Sequence, residues 1–162
     1  MRLAEIIRAE KAEVKFSKWH TGKVPNASFP LTKKSTLPAG SEWSWRLIEF
    51  ETLGRHFRVL IRLNEAKEYF SAILAMDDPR GLVVICHHEL HTSHRDWHCH
   101  LVHDDIMSIY PGVLRDRNAM RIWPNAQSGQ CSVDFTVDRN SAVTLAACRF
   151  RFAVEGIKGL LL

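Results

Sequence analysis

Histidine is concentrated in one short part of this chain, where seven of the nine histidines lie between residues 87 and 103. Two spaced motifs fall within this segment, Glu89-x-His91 and His98-x-His100. Side chains alternate between the faces of a β-strand, so the two members of each motif point the same way. A turn at residues 92–97 places His91 opposite His98 and Glu89 opposite His100, with Cβ atoms roughly 4.5–5.5 Å apart. The sequence therefore predicts a divalent-metal site with four ligands: Glu89, His91, His98 and His100.

The ligand types restrict which metal chemistry is expected. Imidazole and carboxylate together suit zinc, manganese, iron or nickel, and a magnesium or manganese ion would keep waters that a phosphate can displace. We expect manganese or magnesium for catalysis, with zinc as an alternative. A zinc-protease helix is excluded because its histidines are four residues apart, whereas His88 and His91 are three apart. Three other histidines of the segment are expected to support the ligands or to be exposed: His87, His94 and His103.

The hydrophobic pattern predicts the elements that position these residues. We expect strands over residues 43–51, 57–63, 82–91, 97–103 and 131–137 from their alternating or continuous apolar residues. Helical spacing predicts four helices. Two are expected over residues 2–16 and about 113–123. A third begins at a cap at Asn64 and ends at residues 77–81, and the fourth begins at a cap at Asn140-Ser141 and runs towards Gly156. Prolines and glycines make residues 21–40 a surface arm.

This order of elements predicts an α+β fold. From residue 56 onward it matches the βαββαβ arrangement of ferredoxin-like and RNA-recognition-motif-like domains, an antiparallel sheet with helices mainly on one face. An N-terminal helix and strand precede this unit, and a C-terminal helix follows it. The predicted organisation is an N-terminal helix and Pro-rich arm at residues 1–42 and a single metal-binding domain at residues 43–162.

Charge and cysteine content constrain the setting. The net charge of +4 and the pI of about 9.0 favour an anionic partner. The four cysteines have no paired spacing, which indicates a reducing, cytosolic compartment. No apolar run approaches the roughly 20 residues of a membrane-spanning helix, so no membrane partner is expected.

The segments Leu82–His91 and Asp96–Val102 resemble the metal-binding hairpin of the HUH endonuclease superfamily, which contains rolling-circle replication initiators, relaxases and single-strand transposases. The resemblance covers about 22 residues and implies that His98-Cys99-His100 is the histidine pair, with Glu89 or His91 as third ligand. It also implies a metal that polarises the scissile phosphate and a tyrosine nucleophile. The family's tyrosine usually lies on a helix after the pair, and the helix predicted here has none. Tyr69 is expected in the core, which leaves Tyr110 as the candidate nucleophile.

The resemblance implies a metal-dependent endonuclease of a mobile genetic element that acts on single-stranded DNA or RNA. Arg58 and Arg62 lie on the sheet face opposite the apolar residues of their strand, where they are expected to share the metal-bearing face and contact phosphates. The alternative is a non-catalytic, phage- or plasmid-encoded regulator that keeps the metal and binds nucleic acid or a protein. A metallohydrolase with a small phosphorylated substrate, and a homodimer, also remain open.

Overall fold

The computed structural model describes residues 1–32, 37, 40–91, 94–123 and 134–154, without the side chains of residues 94–96. Two α-helices are present there, α1 (Leu3–Arg8) and α2 (Arg139–Phe150). A short 3₁₀ helix spans Ile106–Ser108. The strands are β1 (Ala12–Phe16), β2 (His20–Thr21), β3 (Ser44–Thr52), β4 (Arg55–Asn64), β5 (Tyr69–Asp78), β6 (Gly81–His91), β7 (His94–Val102) and β8 (Met120–Trp123).

All eight strands belong to one antiparallel sheet. Strands β3 to β8 follow one another as a meander, each paired with the next, while β1 forms one edge and β8 the other. Strand β2 also pairs with β3. The predicted α+β class and the antiparallel sheet are confirmed. In the described part of the chain, neither α-helix has the length and hydropathy that crossing a membrane requires.

The helix predicted after Asn64 is wrong, because this segment forms β5. The carbonyl oxygen of the Asn64 side chain accepts a hydrogen bond from the Lys67 backbone, but within a turn between two strands. Strand β5 lies between β4 and β6 and is buried on both faces from residue 70 to residue 76. A strand buried on both faces has a continuous apolar run instead of alternation. Without this helix, the described strands do not follow the βαββαβ order.

Three other predicted elements differ from the structure. The helix over residues 2–16 is replaced by α1 and β1, and the helix over about 113–123 is replaced by the short edge strand β8. Of the predicted strand 131–137, residues 134–137 have no regular secondary structure and the rest lie outside the described residues. The C-terminal helix is confirmed over Arg139–Phe150, but its cap is Asp138, whose carboxylate accepts hydrogen bonds from Asn140 and Ser141.

Both α-helices pack on one face of the sheet, and the N-terminal arm packs on the other. The larger core joins Leu3 and Ile6 of α1 and the apolar side of α2 to the sheet. On the opposite face Phe29 of the arm is buried in a second cluster with Leu60 and Ile73. Residues 1–42 therefore contribute two strands and a core aromatic to the fold. We call the second surface of the sheet the arm face.

The burial of Phe29 yields a stability prediction. Phe29→Ala should lower the free energy of unfolding by about 3–5 kcal/mol, because the buried ring would leave a cavity under the arm. Urea denaturation monitored by tryptophan fluorescence measures the change. Met107→Ala, at a residue that is 40% exposed, should change stability by no more than about 0.5 kcal/mol. An unchanged unfolding free energy for Phe29→Ala would show that the arm is not part of the core.

Candidate metal centre

A β-bulge in β6 determines which side chains reach the arm face. Leu74 pairs with Cys86 and Ala75 pairs with Val84, so Ile85 is an extra residue in the ladder. Before the bulge, the even-numbered Leu82 and Val84 belong to the arm-face cluster. After the bulge the alternation is reversed, because a bulge shifts the side-chain pattern by one residue. The odd-numbered residues His87, Glu89 and His91 consequently share the arm face.

The pairing of β6 with β7 differs from the predicted register by two residues. Glu89 lies opposite His98 and His87 lies opposite His100, while His91 pairs with His94. The two strands thus extend beyond the bounds predicted for them, to His91 and His94, and residues 92 and 93 lie outside the described part of the chain. A shift of two residues keeps every side chain on its predicted face. It also brings His87, predicted only as a supporting residue, into the centre of the cluster.

The carboxylate of Glu89 is the common contact of this cluster. Its side chain has no exposed surface. Its Oε1 lies 3.0 Å from Nε2 of His100, 3.1 Å from Nε2 of His98 and 4.0 Å from Nε2 of His91. Its Oε2 lies 3.3 Å from Nε2 of His87. The four predicted ligands therefore do converge, and His87 is added to them.

Two further side chains complete the surroundings of Glu89. The Arg115 guanidinium donates through Nη2 to both carboxylate oxygens, at 2.6 and 2.7 Å, and through Nε to Nδ1 of His87 at 3.2 Å. The hydroxyl of Tyr69 donates to Oε2 at 3.1 Å. Tyr69 is therefore a neighbour of the cluster and not only a core residue. Arg115 lies on the loop before β8, and no motif in the sequence indicates its role.

The electrostatics of the cluster favour a charged Glu89 carboxylate beside a neutral His87 imidazole. Burial by itself would raise the pKa of Glu89, but hydrogen bonds from His100 and His98, with the charges nearby, hold it far below its ordinary value. Burial lowers the pKa of His87 to about 3, so this ring is neutral at pH 7. Nε2 of His87 is buried and makes no hydrogen bond to any described residue. Neutral imidazole and ionised carboxylate are the protonation states that metal binding requires.

Glu89, His91 and His98 form the group that could hold a metal ion. Their ligand atoms lie within 4.8 Å of one another. Bonds of about 2.0–2.2 Å to one ion place neighbouring ligand atoms roughly 3–3.5 Å apart, which the Glu89–His98 contact already meets. Two histidines and one carboxylate also form the ligand set of catalytic zinc sites and of non-haem iron sites. His100 is close enough to Glu89 to supply a further ligand.

Tyr110, the predicted nucleophile, is not part of this cluster. Its side chain is 56% exposed, in the loop that follows the 3₁₀ helix. Two residues later, the backbone of Gly112 donates to the carbonyl of Leu82, near the start of β6. The backbone N–H of Tyr110 donates to the carboxylate of Asp116, the residue that follows Arg115. In the described structure Tyr110 is thus an exposed loop residue that does not contact Glu89.

Arg58 and Arg62 share the arm face with the cluster, as predicted, but both are engaged within the protein. Arg58 donates to the Asp77 carboxylate and to the carbonyl of Ser28, which ties the arm to the sheet. Arg62 is only 2% exposed, with its guanidinium over the ring of Trp43. Neither side chain is presented to solvent as a phosphate-binding surface would require.

Comparison with known proteins adds no relative. No protein-family model matches the chain, and no curated protein and no solved structure is significantly similar to it.

The cluster predicts stoichiometric metal binding that depends on Glu89. Isothermal titration with Zn²⁺ or Mn²⁺ should give one site per chain. Glu89→Gln should weaken it by at least about 100-fold, because loss of a ligand exceeds the 10–100-fold effect of losing an outer partner. His98→Ala should act in the same direction. His56→Gln is the matched control, because His56 is bonded to Asp77 outside the cluster. Equal affinity for the wild type and Glu89→Gln would exclude this site.

Arg115 and a metal ion compete for the same carboxylate, which predicts opposite effects on stability and affinity. Arg115→Met should destabilise the metal-free protein by about 3 kcal/mol, the lower end for breaking a buried pair, because Arg115 is 40% exposed. The same variant should bind the metal more tightly, so that Zn²⁺ raises its melting temperature more than that of the wild type. Paired thermal melts with EDTA and with Zn²⁺ test both effects. An equal Zn²⁺ shift in the two proteins would show that Arg115 does not compete.

Proposed function

We propose that this protein is a divalent-metal-dependent phosphodiesterase that cleaves single-stranded nucleic acid. The observation that supports the proposal is the convergence of Glu89, His91 and His98 beside a partly exposed arginine, Arg115. Three protein ligands leave open coordination positions for a water and a phosphate oxygen. Arginine binds phosphate oxygens in a bidentate manner. One site thus combines a Lewis acid with a phosphate-binding cation.

The proposed reaction is attack by water on phosphorus. Glu89, His91 and His98 would hold a metal ion that would supply Lewis-acid chemistry, namely a lowered pKa for a water and a polarised phosphoryl oxygen. The oxygen of the water would form the new P–O bond as the ester P–O bond breaks, and the departing oxygen would take up the proton that the water loses. Arg115, released from Glu89 when the metal binds, stabilises the negative charge that develops on the phosphate.

Water is the proposed nucleophile because neither tyrosine suits the role. Tyr110 is 56% exposed and does not contact Glu89 in the described structure. Tyr69 donates its hydroxyl to Glu89, and burial raises its pKa. A raised pKa disfavours the phenolate that attack would need. The tyrosine intermediate implied by the HUH resemblance is therefore not part of the proposal.

The choice of nucleic acid rests on the hairpin resemblance and on the net charge of +4. The sequence predicts phosphate contacts for Arg58 and Arg62. In the proposed site Arg115, which contacts the candidate ligand Glu89, makes the phosphate contact instead. We keep the cytosol and a mobile genetic element as the proposed setting. The thiols of Cys86, Cys99 and Cys148 are free, as a reducing compartment requires.

A second candidate is a regulator that binds nucleic acid or a protein without cleaving it. The observation that favours it is the contact of Nη2 of Arg115 with both oxygens of Glu89, which neutralises the charge of the buried carboxylate. A cluster with a purely structural role needs the pairing of Arg115 with Glu89. In a catalytic cluster this pairing must break when the metal ion binds Glu89.

Labelled single-stranded DNA incubated with the protein and Mn²⁺ separates these candidates. We expect cleavage products without a covalent protein–DNA adduct, because water is the nucleophile. Glu89→Gln and His98→Ala should abolish cleavage through loss of the metal. Tyr110→Phe is the control and should cleave at the wild-type rate.

Three other results would change the assignment. An adduct on a denaturing gel that disappears in Tyr69→Phe or Tyr110→Phe would overturn water attack in favour of a tyrosine. Binding without cleavage at any tested metal would support the regulator. Hydrolysis of a small phosphate ester alone would identify a small-molecule metallohydrolase.

A further inference from the structure

A second candidate site lies on the helix-bearing face of the sheet. A groove of about 920 Å³ is enclosed by α1, the end of β7, the edge strand β8 and the C-terminal end of α2. Its size is within the range of sites that accept ligands of several hundred daltons. Its lining contains four arginines and a tryptophan: Arg2, Arg121, Arg149, Arg151 and Trp123.

The positive charge of this groove is not neutralised within the described structure. Arg58, Arg80 and Arg115 each have a carboxylate partner. By contrast, no carboxylate oxygen of a described residue lies within 4.0 Å of the guanidinium group of any of the four groove arginines, and Glu5 contacts only the backbone nitrogen of Arg2. The acidic residue in the lining, Asp104, instead contacts His103 at 3.1 Å. Four cations gathered without counter-charges repel one another, and a bound polyanion would relieve that repulsion.

Trp123 gives the groove an aromatic surface. Its side chain is 63% exposed, which is unusual for the largest apolar residue of an edge strand. Residues alternate along β8, so Arg121 and Trp123 point to the same side of the sheet. An exposed ring beside guanidinium groups is the combination that binds single strands, with bases stacked on the ring and phosphates on the cations. Paired bases in a duplex are already stacked and gain less from such a ring.

We propose that this groove binds single-stranded nucleic acid, with Arg121 and its neighbouring arginines on the phosphates and Trp123 stacked on a base. The choice of a nucleic acid over another polyanion rests on the proposed function. Trp123 pairs with Cys99, which lies between His98 and His100 on β7. The groove and the histidines thus occupy opposite faces of one strand. A bound chain passes from one to the other around the edge strand β8.

Fluorescence anisotropy with a labelled oligothymidylate of about 15 nucleotides, in EDTA, tests the groove separately from the metal. We expect Trp123→Ala to weaken binding by about tenfold, within the range for loss of one stacked base, and Trp123→Phe to restore most of the affinity. Arg121→Ala should also reduce the slope of log K against log salt by about 0.7, the value for one phosphate contact on a single strand. Arg117→Ala removes the same charge from an exposed residue outside the groove and should change neither quantity.

Oligonucleotide binding and metal-dependent cleavage are measured separately, so a failure of the proposed groove can be distinguished from a failure of the proposed phosphodiesterase. In EDTA the wild type should bind the oligonucleotide without cleaving it, because cleavage requires the metal ion. Wild-type affinity in both Trp123→Ala and Arg121→Ala would contradict the proposal that the groove binds single strands. Equal affinity for duplex DNA would contradict it as well. Because both residues are exposed on the edge strand, these variants should keep the wild-type melting temperature. Binding that depends on the groove residues but is never followed by cleavage would contradict the proposed phosphodiesterase activity and support the proposed binding groove.

Discussion

The pairing of the Glu89 carboxylate inside the sheet is the interaction on which the arm face depends. A fully buried carboxylate is stable only where hydrogen bonds and opposite charge replace its hydration. Arg115 supplies the charge, Tyr69 donates a hydrogen bond, and imidazole groups from two strands contribute the remaining contacts. Because these partners come from β5, β6, β7 and the loop before β8, the carboxylate fixes the relative positions of four parts of the chain. The buried polar cluster therefore specifies how this end of the sheet is assembled.

The cluster also depends on where the ladder becomes irregular. Ile85 is the extra residue of the bulge in β6, and it transfers His87 and Glu89 from the helix-bearing face to the arm face. In a regular strand, Glu89 would point towards the apolar core beneath α2, away from Arg115 and Tyr69. A one-residue slip between β6 and β7 would likewise send His98 and His100 to the opposite face. The bulge in β6 and the register between β6 and β7 are thus both required to place Glu89, His98 and His100 on the arm face.

The sequence predicted the hairpin well because its signals are local. Strict alternation placed Glu89 and His91, and His98 and His100, on common faces, and this survived a register error of two residues. Strand β5 was missed because both its faces are buried, which removes the period-2 pattern, while Tyr69, Phe70, Ile73 and Leu74 happen to match helical spacing. Arg115 could not be predicted, because an arginine 26 residues from Glu89 in an irregular loop has no pattern that identifies its partner. Tyr110 is predicted from its position after the histidine pair, and the structure places it in an exposed loop, where it does not contact Glu89 among the described residues.

The charge balance of the cluster connects metal binding to phosphate binding. Glu89 and Arg115 together carry no net charge, and His87 is neutral because burial lowers its pKa to about 3. A divalent ion bound by Glu89 would therefore leave the cluster with two positive charges in excess, one of them on an arginine that has lost its carboxylate. Such an excess close to solvent is stable only with an anion, and a phosphodiester has the charge and the oxygen geometry that both cations accept. A metal that served structure alone would be better matched by a site without Arg115, since the guanidinium would then only oppose the ion.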